Sequence, residues 1–336
     1  MEQHDAPVAS VIVPTHRGAH RLGALLAALE AQDLAEPWEV VVVVDGPDVE
    51  TQALLDSHRD SLPLRVVVRD HSTGVAAALN AGYSEARGRV LVRCDDDLTP
   101  APSMLRRHLE HHQGPEPVGV IGPTRDALAD TPYARAYGRP ANARSVAAAY
   151  ARPEPARWLG WAAHNSLTRD SWEAVGGFDE SFAYREDSDL GLRLAKRGVR
   201  LIVDPQLEIE HRGAAGNAAT RAARAWVSGA SEVLFATRHP DAGPSLETPP
   251  RSVRTRVWSG ATVLLSALLR GRRAAGCAGW AVDRLLPLVS RRAGGRMVAL
   301  VVEASARAGR RGGNPDQTAY RIQKDAELAA ERRNQR

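Results

Sequence analysis

Five consecutive valines, Val40 to Val44, stand in the segment "WEVVVVVDG" (38–46). β-Branched side chains are stiff at χ1 and suit a pleated surface better than a helix. Successive side chains of a strand point to opposite faces, so an unbroken apolar run must be covered on both. Such a strand belongs inside a sheet with helices above and below it. The neighbouring sequence supplies both kinds of element. "VASVIVPT" (8–15), "LPLRVVVRD" (62–70) and "GRVLVRCDDD" (88–97) are further apolar strands. Between them, "AHRLGALLAALEAQ" places Leu22, Leu25, Leu26 and Leu29 at helical spacing, and "GVAAALNAGYSEARG" (74–88) is a small-residue helix. The alternation predicts an α/β fold with a mostly parallel central sheet flanked by helices.

In such sheets the ligand site lies beyond the C-terminal ends of the strands. Pro14, Thr15, Asp45, Asp70 and the run Asp95-Asp96-Asp97 all fall at strand ends. Three adjacent carboxylates repel one another, and a divalent cation among them would offset that repulsion. The competing reading is an Asp-rich turn capping a helix that begins near Pro102. Further along, "EDSDLGLRLAKRG" (186–198) predicts a helix with acids in its first turn and Gly198 at its end. Residues 120 to 160, with five prolines among small and polar residues, read as loop.

Charge divides the chain. Residues 1–250 hold 26 Lys+Arg against 34 Asp+Glu, whereas 251–311 hold 13 Arg against only Asp283 and Glu303. Three Arg-laced helical segments fall in that basic stretch. A surface of this kind can meet anionic headgroups while Val263, Leu264, Leu265, Leu268 and Leu269 enter the membrane interface. Packing on the acidic part of the chain and a homodimer interface are the competing uses, and the oligomeric state stays open. Nucleic acid is not expected, because interleaved aromatics beyond Trp258 and Trp280 are missing. Only Lys196 and Lys324 are lysines, a bias expected of a GC-rich bacterial genome, so a single Arg says little about phosphate binding. Cys94 and Cys277 form no C-x-x-C pattern, and "MEQHDAPVAS" lacks the basic and apolar regions of a signal peptide. The expectation is a cytoplasmic protein, peripheral at the inner face of the plasma membrane if the basic helices bind there.

The segments "SVIVPTHR", "VVVVDG", "GVAAALNAG", "RCDDD", "VGGFDESF", "REDSDLGLRLAKRG" and "IEH" resemble, in order and spacing, the landmarks of the inverting family-2 glycosyltransferases of the GT-A fold, over about residues 8–215. The resemblance implies a catalytic domain over 1–247, a basic amphipathic helical extension over 248–313 and a polar tail over 314–336. It implies transfer of one sugar from a UDP- or dTDP-sugar to an acceptor hydroxyl, a lipid-linked glycan among the candidates, in cell-surface glycan biosynthesis. Glycosylation of a small-molecule natural product and non-catalytic nucleotide-sugar binding are the alternatives.

Mg²⁺ or Mn²⁺ is the implied cofactor, since hard cations prefer carboxylate oxygens. The resemblance implies that Asp95 would face the ribose and the metal, that Asp97 would ligate the metal, and that His211 would join metal or phosphate. Asp96 would point elsewhere and support the donor loop. By the same resemblance Asp45 would accept from the N3–H of the base, with Pro14, Thr15 and Asp70 around it and Asn80 near the nucleotide. Trp161, His164 and Asn165 would line the donor-sugar pocket. Asp187 would be the general base, with Glu186 or Asp189 as the fallback. Two departures stand out: Val44 occupies the place of a first aspartate, and Leu79 that of a basic residue. No G-x-G-x-x-G follows the first strand, no G-x-x-x-x-G-K-[ST] occurs, and the Q-x-x-R-W of processive synthases is missing.

Overall fold

The computed structural model describes residues 6–242 and 253–312, together with 321, 324, 325 and 328. The chain forms two compact units. The first comprises Met1–Ala127, Ser145–Glu180 and Glu186–Gly213; the second comprises Leu128–Arg144, Ser181–Arg185 and Ala214–Arg336. The boundary expected at 247/248 lies outside the described residues, as does nearly all of the tail expected from 314.

In the first unit, strands β1 (Ala9–Thr15), β2 (Trp38–Val44), β3 (Leu64–Val68) and β4 (Val90–Cys94) run parallel in the order β3-β2-β1-β4. Val40 to Val44 are fully buried, as a strand covered on both faces requires. Helix α1 (Ala19–Glu30) buries Leu22, Leu25, Leu26 and Leu29 against the sheet, and α2 (Val49–Asp56) and α3 (Val75–Glu85) follow the next two strands. The sheet continues through β8 (His164–Thr168), β6 (Val118–Ile121) and β9 (Arg200–Val203), with β8 antiparallel to both neighbours. Beside it, β10 (Ile209–His211) pairs with β5 (Leu98–Thr99) and β7 (Thr124–Asp126), which sets His211 opposite both Leu98 and Asp126. Helix α7 (Glu186–Lys196) begins where its acidic first turn predicts.

The stretch expected to be loop is largely structured. Beyond β6 and β7, a π-helical turn over Ala134–Gly138 runs into α5 (Arg139–Ala151). Proline lacks the N–H that an α-helix uses. The wider turn just before Pro140 lets the helix carry the proline, which is why a proline-based reading missed it.

The second unit is helical: α8 (Ala218–Arg238), α9 (Val253–Leu268), α10 (Arg272–Leu285) and α11 (Arg291–Gly312). Small side chains such as Ala218, Ala222, Ala275 and Val298 form its centre. A Cβ on Gly309 would stand 1.9 Å from the carbonyl oxygen of Trp226, and one on Gly229 2.1 Å from that of Ala306. So α8 and α11 meet with backbone against backbone. Both acids of the basic stretch have structural duties: Asp283 accepts from the N–H groups of Ala218 and Ala219 at the start of α8, and Glu303 accepts from Trp258 Nε1. Leu265 packs inward and Leu269 is buried, so neither belongs to an exposed apolar face as expected; Leu264 and Leu268 do. No helix among the described residues is long and apolar enough to cross a membrane.

Candidate active site

Strand β4 carries Arg93 one residue before its end, 2% exposed. A buried guanidinium needs carboxylate partners, and it has two. Arg93 donates to both oxygens of Asp95, at 2.7 and 3.1 Å, and its Nη1 donates to Oδ1 of Asp187. Burial disfavours its charge, but the charges of Asp187 and Asp95 outweigh burial and hold its pKa well above the ordinary arginine value. One side chain thus ties the D-x-D loop to the first turn of α7. Sequence reasoning passed over Arg93, because an arginine in a strand of an Arg-rich chain carries no signal of its own. The available clue was a charge amid "VLVRC", where only an opposite charge could keep it buried.

The acidic pair divides by environment. Burial pushes the Glu186 carboxyl up to about 8, with Asp187 adding to the shift and Arg93 opposing it. Its Oε2 has no hydrogen-bond partner among the described residues. Burial also raises Asp187, against the pull of Arg93, and its side chain remains 20% exposed. Asp189, the fallback base, is instead a structural anchor. Arg193 grips it at 2.6 and 2.8 Å and reaches the carbonyls of Val175 and Gly177, fixing the turn that leads to α7. Arg17 (φ 49) and Arg185 (φ 76) hold left-handed backbone conformations. Each lies within two residues of the candidate site, and strain of this kind collects where structure is shaped for function.

Asp96 bonds to the end of β1 and to α1. It accepts from Thr15 Oγ1 at 2.6 Å and from Arg21 Nη2 at 2.8 Å, all three being largely buried. A Cβ on Gly18 would stand 1.9 Å from Thr15 Oγ1, so the loop after β1 needs glycine there. Pro14 lies buried in β1 opposite Val43. Asp45, at the end of β2, accepts from Ser72 Oγ (2.7 Å) and from the N–H groups of Thr73 (3.0 Å) and Gly74 (3.1 Å), shaping the approach to α3. Asp70 is exposed just past β3.

Two expected donor contacts are engaged elsewhere. Both ends of the Asn80 amide are engaged: Oδ1 accepts from Phe178 N, while Nδ2 donates to Phe178 O and Glu180 Oε1. It clasps the "GGFDE" turn rather than facing the rim. Trp161 is 2% exposed, wedged where Gly119 and Gly191 leave room for its ring, so no sugar can stack on it. Asn165 is buried on β8 opposite Arg93 and donates to the carbonyl of Ala162. His164 belongs to a buried cluster with His108, His112 and Ser166, joined by contacts of 2.8 to 3.0 Å. Burial lowers His112 and His164 to about 4 and holds His108 well below its ordinary value, so all are neutral at pH 7.

The D-x-D carboxylates suit a hard cation by chemistry. His211 Nε2 lies 3.6 Å from Asp97 Oδ2, and its Nδ1 is 2.8 Å from Asp126 Oδ1. Burial would lower this imidazole, but the two carboxylates prevail and raise it to about 10. A Cβ on Gly213 would fall 1.9 Å from Asp97 Oδ2, so glycine leaves that oxygen its space. Among the described residues no group of three or more His, Cys, Asp or Glu side chains is placed to hold a metal. Mg²⁺ can be held by one or two carboxylates and completed by a substrate's phosphates. The residues present fit that kind of partial site, centred on Asp97.

The site lies where a mostly parallel sheet carries carboxylates on its C-terminal rim, with an acidic helix start facing them. Residues 10–167, a little under half of the chain, match the family described as Glycosyl transferase family 2. The chain is 28% identical over 226 residues to the validoxylamine A glucosyltransferase of Streptomyces hygroscopicus subsp. jinggangensis, covering 59% of this chain and 53% of the relative. It is 29% identical over 242 residues to the pre-mycofactocin glycosyltransferase of Mycobacterium tuberculosis, covering 69% and 48%. The chain thus spans about half the length of these curated relatives. A mannosyltransferase from Pyrobaculum calidifontis, solved with GDP-Man and Mn²⁺, shares the GT-A fold at a TM-score of 0.59 and 22% identity over 91% of this chain and 88% of that one.

Proposed function

We propose that this chain is an inverting, divalent-metal-dependent glycosyltransferase moving one sugar from a UDP- or dTDP-sugar to an acceptor hydroxyl. The observation that carries this reading is the link Asp95–Arg93–Asp187, which couples the carboxylates assigned to the donor with the one assigned to the acceptor. Arg93 occupies Oδ1 of Asp187, so Oδ2 is the oxygen assigned to receive the acceptor's proton. As that proton leaves, the acceptor oxygen bonds to the anomeric carbon from the face opposite the nucleotide. The bond from that carbon to the diphosphate breaks, and its electron pair departs with the phosphate oxygen. Glu186, held mostly protonated at neutral pH by burial, is the weaker candidate for the base. A base whose own affinity for protons is raised suits this task better than an ordinary aspartate.

When bound, Mg²⁺ or Mn²⁺ supplies Lewis-acid neutralisation of the leaving diphosphate. We assign Asp97 to hold it, with Asp95 and His211 beside it. Thr15, Asp45 and the Ser72–Gly74 loop held by Asp45 form the base end. The acceptor reading is a cell-surface glycan, a lipid-linked one included. The names of the two curated relatives favour a second reading, a natural-product acceptor. Two free cysteines, Cys94 and Cys277, suit the reducing cytoplasm.

A thermal-shift series with UDP, dTDP and GDP, with and without Mn²⁺, tests the donor and metal together. Stabilisation by UDP or dTDP that needs Mn²⁺ is expected. No shift with any nucleotide overturns the reading, and binding without sugar transfer leaves the non-catalytic alternative.

A further inference from the structure

Helix α9 faces the wrong way for an ordinary surface helix. Its buried positions include Thr262 and Ser266, while Val257, Leu264 and Leu268 are 69%, 73% and 74% exposed. These three fall at i, i+7 and i+11, on one stripe of the helix. At the N-terminal end of the stripe lies a cavity of about 870 Å³, walled by Val257, Trp258, Ala261 and Leu300. Arg144, Arg291, Arg292 and Arg296 also line it, and no acidic residue contributes. None of these four arginines has an ion-pair partner among the described residues.

We propose that this cavity and the stripe leading from it bind a phosphate-bearing lipid at the surface of an anionic bilayer. Charge complementarity selects the head: four guanidinium groups suit phosphate oxygens, which they can engage bidentately. The apolar wall selects the rest, since a free phosphate would have no use for Val257, Trp258 and Leu300. A purely apolar ligand would leave the arginines unmatched. From the cavity wall at Val257 to Leu268 the stripe runs about 16 Å, taking 1.5 Å per residue over eleven residues. That length exceeds what one cavity ligand covers and suits a helix lying in the plane of the interface. All of these residues belong to the second compact unit, and the inference stands whether or not the first unit transfers sugars.

Co-sedimentation of the full chain with phosphatidylcholine vesicles, alone or with phosphatidylglycerol added, tests this. Binding to the anionic vesicles only is expected. Two double variants at exposed positions should each weaken it, Arg292→Gln with Arg296→Gln by roughly tenfold or more, and Leu264→Ser with Leu268→Ser by a comparable factor. Nucleotide-induced thermal shifts should stay unchanged in both, which separates this site from the candidate active site. Wild-type binding equal on neutral and anionic vesicles, or unaltered binding by either variant, overturns the proposal. So does displacement by millimolar inorganic phosphate, which would mark a site for phosphate alone. A concentration-dependent dimer abolished by the leucine variant would also overturn it, by assigning the stripe to a second copy.

Discussion

Arg93 donates to Asp187 across ninety-four positions of sequence, from the end of a central strand to the first turn of α7. The same guanidinium holds Asp95. Replacing it with methionine leaves two carboxylates short of their buried counter-charge, at a cost of about 3–5 kcal/mol. Arg93→Lys keeps the charge but loses the forked geometry. Urea denaturation should rank the stabilities wild type, Lys, Met in falling order. In the Lys variant kcat should fall more than KM rises. An Arg93→Met protein as stable as wild type would show that the link holds nothing.

Asp187→Asn keeps the shape of the proposed base and removes its basicity. Donor binding should survive, while transfer falls by about 10²–10⁴-fold. Turnover near that of wild type would sink the assignment, and Glu186 would be the next candidate.

Gly213→Ala places a methyl group where Asp97 Oδ2 now stands. Mn²⁺-dependent nucleotide binding should be lost in a protein that melts near the wild-type temperature, as it should in Asp97→Ala. If Gly213→Ala binds nucleotide and Mn²⁺ normally, Asp97 is not the metal ligand.

The histidine cluster predicts a pH dependence of stability. Burial holds His112 and His164 at about 4, below the ordinary 6.5. The unfolded chain therefore takes up protons that the folded chain cannot. Stability is complete above pH 6.5, declines as pH falls towards 4, and levels off below that value. At pH 5 each histidine costs about 2 kcal/mol. Urea midpoints measured from pH 7.5 to 5 should fall, and less steeply in His112→Gln. Equal slopes in the two proteins would remove these histidines from the account.

Much of the first unit was legible because its signals are local. The valine run, the leucine spacing of α1 and the acids opening α7 each report a single element, and each lies where the pattern placed it. The positions of Asp95 and Asp97 at the rim followed from strand order, whereas His211 came only from the family resemblance. What stayed hidden depends on contacts between distant segments. Nothing local distinguishes Asn80 facing a nucleotide from Asn80 clasping Phe178, or Trp161 under a sugar from Trp161 between two glycines. Arg93 was obscured by the chain's general preference for arginine. In α9 the leucines marked a helix, but which of them turn outward was decided by α8 and α11.

Strand β8 runs against its neighbours, and its first residue, His164, stands opposite Cys94, the last residue of β4. The chain entering β8 is therefore delivered to the same rim as the carboxylates, although it precedes a strand rather than following one. Its exposed residues, Glu154, Pro155, Leu159 and Ala162 among them, can change while Trp158 and Trp161 stay buried in the core. Descendants of this scaffold could exchange one substrate for another by rewriting that entrance, leaving Arg93 and its two carboxylates untouched.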